Sequence, residues 1–292
     1  MFDVIKNKWI FFNISIVLLL IGIISMIFVG FNQDIDFTGG TTMYVNIGAE
    51  FNNDDVNAVV TEAIGTKPST IQKAGANNTE VVIKTHSLNT DERAKLFSAV
   101  QAKYNLPQEA LLSADNVTAT VGDELKWNSF WQVVMATLLI LVYITFRFEF
   151  KSGVAAVIAL VHDTIFVLGF YSIFRLPINT TFIAAILTIT GYSIMDTIVI
   201  YDRIRENSRI MKKAPFSEII NKSIWQSATR SIYTPISALI TIVVLYIVGV
   251  PAVKEFALPI GMGIIVGTYS SNFIASPLWD IFKGDKKAKT TA

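Results

Sequence analysis

TTFIAAILTITGYSIMDTIVIYDRIREN, residues 180–207, opens as an apolar run long enough to cross a bilayer and closes in a burst of charge, Asp202-Arg203-Ile204-Arg205-Glu206. A carboxylate, Asp196, stands inside the apolar part. Helical spacing puts Thr188, Tyr192 and Asp196 in one row with Ser193 beside them, while Ile186, Leu187, Ile194 and Ile198 point elsewhere. An acid in hydrocarbon costs about 2.5–3.5 kcal/mol on insertion scales, so a chain seldom carries one without a use. The remaining sequence reads as support for this acid.

Outward from that stretch, runs of about 20 apolar residues recur, and 52% of the 292 residues are hydrophobic with a mean hydropathy of +0.50. This is the composition of an integral membrane protein. No cysteine is present, which excludes disulfides and thiolate metal sites. The first apolar run lacks a small-residue cleavage pattern and is long enough to remain as a span. Spans are expected at about 10–31, 130–146, 154–174, from 180 onward, 231–250 and 257–282, with a turn at 251–255. Residues 122–127 (GDELKW) read as an amphipathic lead-in to the second span, and 208–230 as a basic, partly amphipathic segment before the fifth.

Between the first two spans the hydrophobic pattern changes. Strands are expected at Thr42–Ile47, Thr70–Ala74, Glu80–Thr85 and about Asn116–Val121. Helices are expected at about Asn53–Ile64 and, capped by Thr90, at about Asp91–Tyr104. The order β-α-β-β-α-β is that of a ferredoxin-like split βαβ domain, and it carries no function by itself. The expected organisation is therefore a head and first helix over 1–31, an extracytoplasmic α+β domain over 32–126, transmembrane helices 2–6 over 127–282 and a basic tail over 283–292. The fold class is a six-helix transmembrane bundle with one small inserted ferredoxin-like domain.

Six spans put both termini on one side. About fifteen of the 24 Lys and Arg fall on that side, against Arg175 and Lys254 in the two short loops opposite. The positive-inside rule then places both termini in the cytoplasm of a cell membrane and the domain outside.

Several further residues can carry chemistry. His162 and Asp163 lie near the middle of the third span. The histidine can relay protons or serve as a hydrogen-bonded structural group. Asp163 ends a small-residue row, Ala155-Ala159-Asp163, and Gly263-Gly267-Ser271-Ala275 forms a longer one in the sixth span; such rows let helices approach closely. Arg230, opening the fifth span, can reach inward to neutralise Asp196 as a structural pair or as a switch released by protonation. Arg203 and Arg205 read first as interface anchors. Gly39 and Gly40, just beyond the first span, suit a hinge or a plain turn.

These pieces, taken together, resemble the SecF subunits of the SecD/SecF protein-export family. The resemblance rests on Asp36-Phe37-Thr38-Gly39-Gly40, Arg147-Phe148-Glu149, Leu160-Val161-His162-Asp163, and Gly191-Tyr192-Ser193 through Asp196-Thr197 to Asp202-Arg203-Ile204-Arg205-Glu206-Asn207. It extends to Gly267-Thr268-Tyr269-Ser270-Ser271 and covers nearly the whole chain. It implies the architecture of the resistance–nodulation–division superfamily and use of the proton gradient to draw polypeptides outward through the SecYEG channel. The implied partners are SecD, SecYEG, YajC, a YidC-type insertase, the unfolded translocating polypeptide, protons and the lipid bilayer, with no nucleic acid. It implies no enzyme activity, cofactor or metal. In the family the acid of the fourth span and an arginine opening the fifth form the proton-linked pair, which falls on Asp196 and Arg230. One position departs: the family usually has Asn directly before that acid, and this chain has Met195.

Two other functions compete. Half of a proton-coupled lipid or drug exporter of the same superfamily would share the proton chemistry but generally needs a larger outer portion. An intramembrane aspartyl protease would need Asp163 and Asp196 to share a proton across a wet cleft, and its Gly-x-Gly-Asp pattern is missing.

Overall fold

The structure, a computed structural model, describes residues 2–75 and 77–284. Among them, six helices are long and apolar enough to cross a membrane. They are α1 (Lys8–Phe28), α5 (Ala119–Arg147), α6 (Phe150–Ile173), α7 (Thr180–Ile210), α8 (Phe216–Val248) and a sixth made of α9 (Pro251–Ser270), a π-helical turn (Ser271–Ala275) and α10 (Ser276–Lys283).

The helices divide by burial. In their most apolar stretches α6, α7 and the sixth span are 50–61% buried, against 11% for α1, α5 and α8. The first three are therefore the centre of the bundle, and the others turn their Ile, Leu and Val outward, as a lipid-facing helix does. α1 touches the centre through a narrow row of small residues. Gly22 lies so close to Gly169 of α6 that a Cβ on either would come within 3.1 Å of the other's Cα, and Ser25 and Ser172 share a hydrogen bond of 2.9 Å.

Both ends of the described chain meet on one side of the bundle. Lys8 pairs with Asp280 at 2.9 Å, and Trp225 donates to the Phe2 carbonyl at 2.7 Å. On the opposite side sits the inserted domain. After β1 (Asn32–Gln33) and the one-turn α2 (Ile35–Thr38) it runs β2 (Gly40–Asn46), α3 (Asn53–Ile64), β3 (Thr70–Ala74), β4 (Glu80–Thr85), α4 (Thr90–Tyr104), β5 (Leu111–Val117). The sheet order is β3-β4-β2-β5 with antiparallel neighbours throughout. Each βαβ pair is thus split by a strand of the other pair, as the expected topology requires. Its core is Met43, Val45, Val81 and Ile83 from the strands against Val56, Val60, Leu96 and Val100 from the helices.

Several boundaries differ from expectation, each for a local reason. Asn89, not Thr90, caps α4: its side chain accepts from Glu92 N at 2.9 Å and Glu92 returns the bond to Asn89 N, a capping box. The last strand is Leu111–Val117 rather than 116–121, because Thr118 leaves the sheet to cap α5. Residues 122–127 then lie inside α5 rather than in a separate lead-in. The segment 208–230 is no independent element either. α7 continues to Ile210, only 211–215 form a loop, and Ile219, Ile220 and Ile224 bury the first turns of α8. The turn expected at 251–255 is the start of α9. Beyond Gly284 the expected basic tail lies outside the described residues.

Candidate functional site

The two buried acids sit in different surroundings. Asp163 on α6 is 1% exposed and fully engaged. Its Oδ2 accepts from Ser193 Oγ of α7 at 2.7 Å and from Ser270 Oγ of α9 at 2.8 Å, and its Oδ1 lies 3.0 Å from His162 Nδ1. This acid ties the three central helices together. His162 in turn stacks near the Tyr269 ring, whose hydroxyl donates to the Phe11 carbonyl of α1.

Asp196 on α7 faces α8 instead. Its Oδ1 accepts from Ser231 Oγ at 2.7 Å, while Oδ2, buried, has no hydrogen-bond partner among the described residues. A small cavity opens against it, lined by Tyr192, Met195, Val199, Arg230, Thr234 and Pro235. It offers about 20 Å³ to the centre of a water molecule, enough for one. The Tyr192 hydroxyl is likewise buried without a partner. Arg230 shares this cavity with Asp196, yet no ion pair between them forms within 4.0 Å among the described residues. Pro235, one turn beyond Ser231, has no N–H to return to the Ser231 carbonyl, so α8 is weakened where it faces the acid.

Behind Asp196 the sixth span packs on α7 through its small residues. A Cβ on Gly263 would lie 2.4 Å from Ile189, and one on Gly267 would lie 3.0 Å from Ser193. One turn further Ser271 and Thr197 share a bond of 2.8 Å, at the start of the π turn. The row Gly263-Gly267-Ser271 thus lets α9 approach the face of α7 adjoining both acids. Asp163 and Asp196 share no hydrogen bond and are held by different helices, so the arrangement does not form a proton-sharing dyad.

At the end of the bundle that carries the inserted domain, two carboxylates tie the domain and its linker to the same helices and a third ties the linker to the domain. Glu255 of α9 accepts from Gln72 Nε2 of β3 and from Asn179 Nδ2, the cap of α7, each at 2.7 Å. Asp36 accepts from the Thr180 backbone and hydroxyl at the start of α7. Asp34 pairs with Lys84 of β4 at 2.5 Å, largely out of solvent. Burial alone would lower the Lys84 pKa. The hydrogen bond and charge of Asp34, with Glu255 and Asp36 behind it, outweigh burial and hold the ammonium above its ordinary value.

Gly39 and Gly40 sit in this junction. Gly39 has φ +77°, and a Cβ there would lie 2.9 Å from Ala119 N; one on Gly40 would lie 2.3 Å from the Thr85 carbonyl oxygen. Both positions need glycine for close backbone approach whether or not the domain swings.

Sequence reasoning gave Ser231 no role and named Ser193 and Thr197 only by their place in the row and the motif, since a serine or threonine in a span carries no signal until its partner helix is known. Ser270 was quoted only within a motif. Glu255 and Gln72 were missed because their partnership spans 183 residues.

Comparison with known proteins places this geometry. The family described as "Protein export membrane protein SecD/SecF, C-terminal" matches residues 98–285. The protein translocase subunit SecF of Sebaldella termitidis is 36% identical over 287 residues, covering 97% of this chain and 92% of its own length. The protein translocase subunit SecDF of Bacillus subtilis is 35% identical over 98% of this chain, which spans 39% of that longer protein. Among solved structures, SecDF from Thermus thermophilus, described as a translocon-associated membrane protein, superposes with a TM-score of 0.81 at 33% identity, covering 97% of this chain and 38% of that one. SecDF in a super-membrane-facing form gives 0.71 over the same 97% of this chain and 39% of its own. With a family match over more than half its length and a full-length relative above 30% identity, the chain belongs to the SecD/SecF family of protein-export membrane proteins.

Proposed function

We propose that this chain is a proton-driven accessory subunit of Sec-pathway export, working with a SecD partner beside the SecYEG channel to draw unfolded polypeptide outward. The export role and the SecD partner follow from the relatives: translocase subunits align along the whole chain, and in the longer SecDF proteins the matching region is fused to further sequence. The proton step rests on one observation. Asp196 accepts one short hydrogen bond, from Ser231, and turns its second oxygen toward a cavity that it shares with Arg230.

In this reading water delivers a proton to Oδ2, the carboxylate becomes neutral, and Arg230 loses the charge that draws it inward. α7 and α8 then repack, most easily at Pro235. Asp163, with all its acceptors used, acts as the fixed point between α6, α7 and α9, and His162 positions it. Met195, where the family usually has Asn, contributes a thioether rather than an amide to the cavity wall, so the short bond from Ser231 orients the acid. Gly39 and Gly40 mark where a moving outer domain meets its linker and α5. The subunit needs no cofactor and catalyses no bond change. YajC and a YidC-type insertase are further partners under this reading.

The reading is tested by reconstituting the channel and SecD in proteoliposomes with and without this chain. A proton gradient is expected to raise export only when the chain is present. Equal export in its absence removes the proposed role.

The cell membrane and cytoplasmic termini are part of the same proposal, supported by the charge asymmetry of the loops. Asn78, exposed in the outer domain, and Lys212, exposed in the α7–α8 loop, give the test in this cysteine-free chain. Asn78→Cys is expected to react with a membrane-impermeant thiol reagent in intact cells and Lys212→Cys only after permeabilisation. Reaction of Lys212→Cys in intact cells reverses the topology. Asn179 is a poor place for such a label, being a buried helix cap.

A further inference from the structure

A second pocket lies at the end of the bundle where the termini meet, away from the buried acids. It opens between the α5–α6 turn, the last turns of α7 and the end of α10, with a volume of about 330 Å³. Its charged wall is Arg147, Glu149, Arg205 and Lys283. These charges are unequally used. The Glu149 carboxylate accepts from Trp279 Nε1 at 2.6 Å and from Lys283 Nζ at 3.1 Å. Asp202, in the adjoining turn of α7, takes Arg147 at 3.0 Å. Arg205 differs. Its guanidinium has a fork of N–H donors, and its one hydrogen bond among the described residues is a long one, 3.4 Å, to the Arg147 carbonyl oxygen. The pocket therefore holds a cation with no acid of its own.

The apolar surroundings say what kind of anion fits. Phe146, on the rim, is 89% exposed. It ends a row on α5, Met135-Leu139-Val142-Phe146, whose members are each at least half exposed and which runs from the membrane interior to the pocket mouth. Their spacing of four, three and four residues keeps them on one helix face. An occupant with an oxyanion at one end and a hydrocarbon chain at the other satisfies both parts: the guanidinium fork matches phosphate oxygens, and the chain lies along the α5 row. Three further lysines follow Gly284 in the sequence, which favours a net-negative headgroup over a zwitterionic one.

We propose that this pocket binds the phosphate of an anionic phospholipid from the leaflet on the side of the termini, with Arg205 as its anchoring residue. A partner's acidic segment would satisfy Arg205 but would make no use of the apolar α5 row that leads to the pocket mouth. Binding here would set the position of the inner end of α7, the helix that carries Asp196.

The test is native mass spectrometry of the full chain, purified and exchanged into phosphatidylglycerol or phosphatidylcholine. The wild type is expected to retain one phosphatidylglycerol and to release phosphatidylcholine. Arg205→Gln should lower retention by about tenfold, the scale of losing a charge-assisted bond. Arg205→Lys, which keeps the charge without the fork, should fall between. Arg209→Gln, an exposed arginine of the same helix end outside the pocket, should retain lipid as the wild type does. Equal loss from the Arg205 and Arg209 variants would mean diffuse charge rather than a site. Equal retention of phosphatidylcholine, displacement by inorganic phosphate alone, or displacement on adding the SecD partner would each overturn the proposal, the last by assigning the pocket to a protein contact.

Discussion

Asp196→Asn is expected to abolish export stimulated by the proton gradient while leaving expression, assembly with SecD and basal ATP-driven transport near normal. The structure makes this a clean substitution. Asn keeps the shape of the side chain, and its carbonyl oxygen can still accept the Ser231 hydroxyl that now bonds Oδ1 at 2.7 Å. What it removes is the titratable oxygen, the one with no partner, facing the cavity shared with Arg230. Asp196→Glu keeps an acid but pushes it about one methylene further into a cavity sized for one water, so partial activity is expected. Export assays in vesicles with an imposed gradient read both. Stimulation of Asp196→Asn to the wild-type level would make the buried acid structural and the proton mechanism wrong.

Asp163 supplies the contrast within the same bundle. It accepts from two serines on two other helices at one oxygen and faces His162 with the other, so Asp163→Asn can keep both serine bonds only by turning its N–H₂ on His162 Nδ1, which must then accept rather than donate. An unsatisfied buried group costs about 1–3 kcal/mol, more when the lost partner was charged. That variant would fail by loosening the packing of α6, α7 and α9, a defect visible in yield and thermal stability. The two acids thus separate by the kind of failure they produce.

Much of this was legible in the sequence, and the limit has a physical form. Span number and the chain order of strands and helices follow from local periodicity, so one helix, Asn53–Ile64, and two strands, Thr70–Ala74 and Glu80–Thr85, were readable residue by residue. The buried acids were readable because charge in hydrocarbon is rare. What held each acid was not. Ser231 lies 35 residues from Asp196, and Ser270 lies 107 from Asp163. The Asp196–Arg230 pair was expected from the reach of an arginine opening the fifth span and from the family resemblance; in the fold, Ser231 beside Arg230 makes the short hydrogen bond to the carboxylate. Gly39 and Gly40 looked free because glycine permits freedom, yet here its missing Cβ is used for close packing.

The second large effect is expected at Glu255 of α9, which holds the cap of α7, an end of that helix some 24 Å from the proton site at the 1.5 Å rise of a helix. A proton taken up at Asp196 can act on a translocating chain only if the bundle moves the outer domain. Most of the polar ties between the domain side of α7 and that domain pass through two carboxylates: Glu255 joins Gln72 of the sheet to the α7 cap Asn179, and Asp36 of the linker holds Thr180. Glu255→Leu removes both acceptors at once and leaves Ser231, Asp196 and Arg230 as they are. Gradient-stimulated export should then fall several-fold although the acid still titrates and the complex assembles. Glu255→Gln, whose amide oxygen can keep one of the two bonds, should fall less. Locking the contact gives the converse test. The chain has no cysteine, so Gln72→Cys with Glu255→Cys can be joined selectively. A short bis-maleimide reaches further than a disulfide, which needs the two Cα atoms within ~7 Å. Cross-linking should arrest stimulated export if the domain must leave the bundle during the cycle. If the severed and the locked forms both export at the wild-type rate, the outer domain is not driven through α7 and α9, and the work of Asp196 reaches the polypeptide through the SecD partner instead.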